Sequence, residues 1–353
     1  MSLRQTAAWA GSCGLADLSD VALLGRLQNS ADWLSHLIGV ALHRPLPAAA
    51  KGRAIRAVDG TVVRKTGGPK RGGHGLWRLH SAFDLASERF GFLELTDQRG
   101  GEQLDRAPVV PGEIRLADRA YLQADRIAPV LEAGADVIVR AGWRNATWLT
   151  PKGTPLDLVA ALKSARKKGV FDCPIKLGRK NGDPIDGLRL VALRKPEEAA
   201  KRSREKALKD ARKGGHKITP ETLIAAEWLI LVTSLEARAF PAQEIGALYR
   251  LRWRIELAFK RLKSLIGYRI PPGKDEQLAR TFLLAHLLLA VLMEPLSAQW
   301  RDSFPSGAQK HPPPDVFVVR HQTHSCAVRS GNRPLPTLAR HAPSRRQNTT
   351  ASK

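Results

Sequence analysis

The chain has 353 residues, 43% of them hydrophobic, and its 57 lysines and arginines against 33 acids leave a formal net charge of +24. The apolar share suffices for one large or two smaller packed domains. So large a positive surplus repels itself unless a polyanion neutralises it, which points to nucleic acid ahead of an anionic membrane surface. Cys13, Cys173 and Cys326 are too few and too scattered for a disulfide framework or a short zinc-ligand spacing. With no signal-like N-terminus and no apolar run of about 20 residues, the expected location is the cytoplasm, with no membrane partner.

Residues 1–50 read as a helical N-terminal segment, because Val21, Leu23, Leu24, Leu27, Trp33, Leu34, Leu37 and Ile38 recur at roughly helical spacing. Residues 51–140 change texture. Ala54 to Val63 is predicted as a strand interrupted at Asp59-Gly60, and a glycine-rich basic loop, Gly67 to Gly75, follows. Strands are predicted over Trp77 to Phe83 and Phe90 to Leu95. A short one, Glu113 to Ala117, ends at Asp118. A helix from Leu122 to Glu132 is stopped by Gly134, and Asp136 to Arg140 is a further strand. This mixture implies an α/β layer with helices packed on a sheet.

Residues 141–226 read as a basic insertion into that layer. Its densest part, Lys195 to Lys217, fits either an exposed charged helix with a glycine-containing loop or an arm without fixed structure. Residues 227–300 return to core texture: a strand from Trp228 to Thr233, one long helix from Pro241 to Ile266, and an apolar helix from Glu276 to Trp300. Its greasiest part, Phe282 to Met293, is too short for a membrane span and reads as buried. Residues 301–353 are rich in Pro, Arg, Ser and Thr and are expected to be disordered.

The helix after Pro241 carries two faces. At about 100° per residue, Tyr249, Arg252, Trp253, Glu256, Lys260 and Lys263 share one side, while Leu248, Leu251, Ile255, Phe259, Leu262 and Ile266 cluster on another. Glu256 is the only acid between Ile245 and Lys274. Alone, it reads first as a salt-bridge partner. Asp59 and Asp118 each follow an apolar run and are expected at strand ends, where either alone could be a turn or cap residue. Adjacent strands would bring the two carboxylates together, and such a pair repels unless protonated or bridged by a cation. An oxygen-only cluster suits Mg²⁺ or Mn²⁺.

These residues carry a family resemblance. Tyr249, Arg252, Glu256 and Lys263 keep every spacing of the YREK signature, with Ala57-Val-Asp59-Gly60-Thr61 and Leu116-Ala-Asp118-Arg119-Ala120-Tyr121 as two further motifs in order. Over residues 50 to 300 the chain resembles the cut-and-paste DDE transposases of bacterial insertion sequences, apart from Ala120, where the family usually has Gly. The resemblance implies a ribonuclease H-like mixed sheet flanked by helices, with a mostly β insertion between the second and third acids, where the residues themselves show charge and no clear strands. It implies a metal site built from Asp59, Asp118 and Glu256, double-stranded DNA as partner at element ends and target, and a dimer on DNA during synapsis. It gives Tyr249, Arg252, Lys263 and Trp253 DNA contacts, and it sets Trp228 where the family stacks an aromatic on a flipped base. A core Trp opening a buried strand is the equal alternative. The basic insertion would hold DNA without reading its sequence. Three rivals stand beside this reading: a degenerate or truncated copy, a non-catalytic basic nucleic-acid-binding protein, and a related nuclease of the same fold.

Overall fold

The computed structural model describes residues 2–43, 49–66, 75–97, 99–265, 270–271 and 273–302. Most of the glycine-rich loop after Thr66, and the tail from Ser303 on, lie outside them. Three helices come first: α1 (Leu3–Ser12), α2 (Asp20–Gln28) and α3 (Ala31–Leu42). Ser2 and Ser19 cap the first two, each accepting a backbone N–H that the opening turn leaves without a partner. The third is no appendage. Leu34, Ile38 and Leu42 are buried in the main core.

The strands follow as β1 (Ile55–Arg64), β2 (Leu76–Asp84), β3 (Arg89–Asp97) and β4 (Ile114–Ala117). A 3-10 turn, Arg119–Tyr121, leads into α4 (Ala124–Glu132) and β5 (Asp136–Ala141). Next come β6 (Trp148–Leu149), α5 (Leu158–Ser164), β7 (Val170–Leu177) and β8 (Ile185–Arg194). After α6 (Glu197–Lys213) and α7 (Pro220–Ala226), β9 (Trp228–Thr233) closes the set, and α8 (Ala242–Arg250), α9 (Trp253–Leu265) and α10 (Glu276–Asp302) end the described chain.

All nine strands form one mixed sheet in the order β3-β2-β1-β4-β5-β9-β8-β7-β6. Strands β1, β4 and β5 run parallel, and every other neighbouring pair is antiparallel. Side chains alternate between the two faces. Ile55, Ala57, Leu116, Ile138 and Leu231 point into one apolar layer, where α3, α8, α9 and α10 pack. Val58, Ala117, Val139 and Ile230 point into the other, with α4 and α5.

Three sequence expectations are corrected. Residues 141–226 are not only charge: β6, β7 and β8 extend the central sheet, and the Lys195–Lys217 stretch contains the helix α6. Asp59 is not at a strand end, since β1 runs through Asp59 and Gly60 to Arg64. The single helix predicted from Pro241 is two helices. Between them Arg252 N–H donates to Tyr249 O, Arg254 N–H to Leu251 O and Ile255 N–H to Arg252 O. These three-residue bonds tighten the chain locally into a 3-10 turn. The apolar helix read from Glu276 to Trp300 is α10, Glu276–Asp302. Glu276–Glu294 has the length and composition to cross a membrane, yet Leu283, Leu284, Leu287, Ala290 and Val291 are buried in the main core.

Candidate active site

The sheet's register sets the first two acids side by side. Val58 pairs with Ala117 across the parallel β1 and β4, so Asp59 and Asp118 are the next residues on neighbouring strands. Parity sends both toward the face where α8 and α9 pack, because Ala57 and Leu116, two residues earlier, belong to that layer. Hydrogen bonds hold Asp59 locally: its Oδ1 accepts from Gly60 N–H at 2.8 Å, and its carbonyl accepts from Ser81 Oγ at 3.1 Å.

The tight turn between α8 and α9 supplies the other half. It sets the Arg252 guanidinium near the Tyr249 ring, 5.9 Å from its centroid, and aims both at the acids of β1 and β4. Tyr249 donates its hydroxyl to Asp118 Oδ1 at 3.5 Å. Arg252 Nη1 meets Asp59 Oδ2 at 3.2 Å, while its Nη2 pairs with Glu256 one turn later. Behind the turn, buried Ile255, Phe259 and Leu262 anchor α9 to the core, each burial worth about 1.5–3 kcal/mol. Asp59, Asp118, Tyr249, Arg252 and Glu256 thus form one connected cluster.

Its electrostatics are strained. Burial pushes the Asp59 carboxyl up to about 6, helped by Asp118 and Glu102, against the opposing pull of the Gly60 N–H and Arg252. Burial also pushes Tyr249 up to about 12, so it remains a donor at neutral pH. Arg252 is partly buried, which disfavours its charge. Its tyrosine and carboxylate neighbours outweigh that and hold it above its ordinary value.

The donor set is all oxygen, as a hard divalent cation requires. In the present arrangement the guanidinium of Arg252 stands between Asp59 and Glu256, and among the described residues no three acids, histidines or cysteines are gathered closely enough to hold an ion. The residues therefore fit a metal in donor chemistry but not in spacing, with Arg252 standing between two of them.

The remaining predicted residues divide. Lys263 reaches back to β1, donating to Thr61 Oγ1 at 2.6 Å and Val62 O at 3.3 Å, two residues beyond Asp59. Trp253 is 52% exposed at the start of α9. Trp228 is a correction. It is 4% exposed and packs in the opposite layer, beside a cavity of about 290 Å³ lined also by Lys163, Arg166 and Glu227. Its place is that of a core Trp opening a buried strand, away from the acids.

The sequence reading missed Arg140. Leu116 pairs with Ile138, so Arg140 on β5 stands opposite Asp118, with its Nη1 3.7 Å from Asp118 Oδ1. Only the strand register reveals it.

Residues 50–292 match the family model described as Transposase DDE domain. The chain is 38% identical over 300 residues to the transposase of insertion sequence element IS421 from Escherichia coli, covering 83% of this chain and 80% of that protein. It is similarly 38% identical, over 301 residues and the same shares, to InsL of insertion sequence element IS186A from Escherichia coli K12. Among solved structures, a piggyBac transposase synaptic complex with hairpin DNA is similar at a TM-score of 0.40 and 11% identity, over 74% of this chain and 51% of that one. That likeness is too distant to bear on function.

Proposed function

This chain belongs to the DDE transposase family, and from that premise we propose that Asp59, Asp118 and Glu256 are its catalytic acids and together hold the divalent ion. The chain is an enzyme of DNA transposition, cleaving and transferring DNA strands with divalent metal. The finer reading is ours: cut-and-paste movement, with Mg²⁺ or Mn²⁺ as the ion, in the cytoplasm, as a dimer on element ends. The observation that carries it is the juxtaposition of Asp59 and Asp118 on adjacent parallel strands, joined through Arg252 to Glu256. The order β3-β2-β1-β4-β5, with an acid on β1 and another directly after β4, supports a ribonuclease H-like catalytic core. In that reading residues 51–140 and 227–300 make the core, and 141–226 are inserted between the second and third acids.

A divalent ion at the acids supplies positive charge to activate water and to stabilise the leaving 3′ oxygen. The chain's own groups do the rest. Released from the acids, Arg252 can fork onto phosphate oxygens beside the scissile bond, where negative charge builds. Tyr249, protonated at neutral pH, donates a hydrogen bond at the same edge. Lys263 adds a point charge along β1, and Trp253 offers an exposed ring for an unpaired base, a contact worth about 1–3 kcal/mol.

The test is cleavage of the element's own ends in Mg²⁺. Nicks at the end boundary followed by joining to target DNA support the reading. Binding without nicks in either Mg²⁺ or Mn²⁺ favours the rival of a degenerate copy, in which Arg252 permanently fills the acid site.

Two further outcomes follow from single groups. Asp59 holds its proton more tightly when folded than its ordinary value of 3.8 allows. Its contribution to stability is therefore fully present below about pH 4 and lost as pH rises through about 6. Metal needs the ionised form. Mg²⁺ is expected to raise the melting temperature at pH 8 and to do little at pH 5, and Asp59→Asn is expected to abolish that difference in thermal melts. Lys263→Ala should weaken duplex binding and lower the salt slope by about one unit. An unchanged slope removes Lys263 from the DNA contacts.

A further inference from the structure

The helix α6 carries a stripe of four cations that none of the chemistry above uses. Arg202, Lys206, Lys209 and Lys213 are spaced 4, 3 and 4 residues apart and are all exposed. At about 100° per residue they fall within roughly 60° of one another. Over eleven residues the stripe runs about 16 Å. None of the four makes an ion pair or side-chain hydrogen bond among the described residues, although Glu205 and Asp210 lie roughly 70° to either side. The helix is held from another side. Buried Ala200 and Ala211 face inward, and Arg204 pairs with Glu197 at 3.1 Å and Glu227 at 2.7 Å. Glu198 and Glu205, each four residues before Arg202 and Lys209, offset the repulsion between Arg202 and Lys206 and between Lys209 and Lys213. The helix directs its paired arginine inward and a row of exposed cations outward, as a polyanion would require.

Position matters as much as charge. The α6 helix rests on α7, whose Ala225 belongs to the layer on the opposite face of the sheet from the acids. We propose that the Arg202–Lys206–Lys209–Lys213 face is a second DNA track, binding the phosphate backbone of duplex DNA apart from the cleavage site and without reading sequence. The inference rests on the transposase reading for its partner. Duplex DNA presents about one phosphate charge per 1.7 Å of axis, so a 16 Å row of cations meets a dense phosphate array.

The experiment uses the full chain and a duplex unrelated to any element end, with affinity measured across ionic strength. Each neutralised phosphate contact contributes about 0.9 to the slope of log affinity against log salt. Replacing all four cations by glutamine (R202Q, K206Q, K209Q and K213Q) is expected to reduce the slope by about 3 to 4. From 50 to 200 mM salt the wild type should then lose about 150-fold more affinity than the variant. The pair K206Q and K209Q should remove about half of the slope change, and R202K should retain the wild-type slope. Circular dichroism of each variant checks that α6 remains helical. A wild-type slope in the four-site variant, or in the pair if the four-site variant loses its helix, overturns the track while leaving the transposase reading intact. A wild type that fails to bind duplex at all overturns both.

Discussion

Asp59→Ala is expected to abolish end cleavage, by at least about a thousandfold, while leaving salt-dependent DNA binding in place. A metal ligand contributes several kcal/mol of charge stabilisation, and about 4 kcal/mol corresponds to three decades of rate. Asp59 is the most buried of the three acids, with 21% of its side chain exposed against 41% for Asp118 and 54% for Glu256. It has least access to water as a substitute ligand. Binding should survive because the substitution leaves all 57 lysines and arginines in place. Asp59→Asn keeps the shape and should lose cleavage equally. A variant that still nicks element ends at the normal rate would remove Asp59 from the chemistry.

The largest expected loss of stability lies beneath the same two strands. Arg115 on β4 is fully buried, paired with buried Glu113 at 2.6 Å, and donates to the carbonyls of Leu104, Ala107 and Pro108. Arg56, its register partner on β1, joins through Glu113 at 3.5 Å and Asp84 at 3.0 Å. Arg115→Ala takes from buried Glu113 its closer cation, leaving Arg56 at 3.5 Å, and removes the donor to the Leu104 and Ala107 carbonyls, at a cost of about 3–5 kcal/mol. Changing both partners, Arg115→Met with Glu113→Gln, should recover part of that, because no unpaired charge remains and the Val110 N–H that Glu113 accepts keeps an acceptor. Urea denaturation measures both. A loss under about 1 kcal/mol for Arg115→Ala would mean that the network does not hold β4 in place. Since Asp118 lies three residues beyond Arg115, a loosened β4 should also blur the acid pair.

The acids and the helix that meets them were legible through the family resemblance: Asp59, Asp118 and the run from Tyr249 to Lys263 keep its motifs in order, whereas each acid alone reads as a cap, turn or salt-bridge residue. What stayed hidden depends on contacts between distant residues. Periodicity at 100° per residue cannot detect a local tightening, so the 3-10 turn that aims Tyr249 and Arg252 at the sheet was read as continuous helix. The strands β7 and β8 were passed over because the density of Lys and Arg around them drew the reading toward charge, although Phe171, Cys173, Ile175 and Leu177 alternate with Asp172, Pro174 and Lys176. Their apolar residues, among them Ile175, Leu188 and Leu190, are nonetheless buried. Arg140 needed the pairing of β4 with β5. For Trp228 the sequence left two readings equal, and burial decides between them.

The most direct test is a crystal structure grown with Mn²⁺ and element-end DNA, read by its anomalous signal. Peaks bounded by Asp59, Asp118 and Glu256, with Arg252 turned onto a phosphate, are the expected result. Arg252 still bridging Asp59 and Glu256, with no metal signal between the acids, would contradict the account.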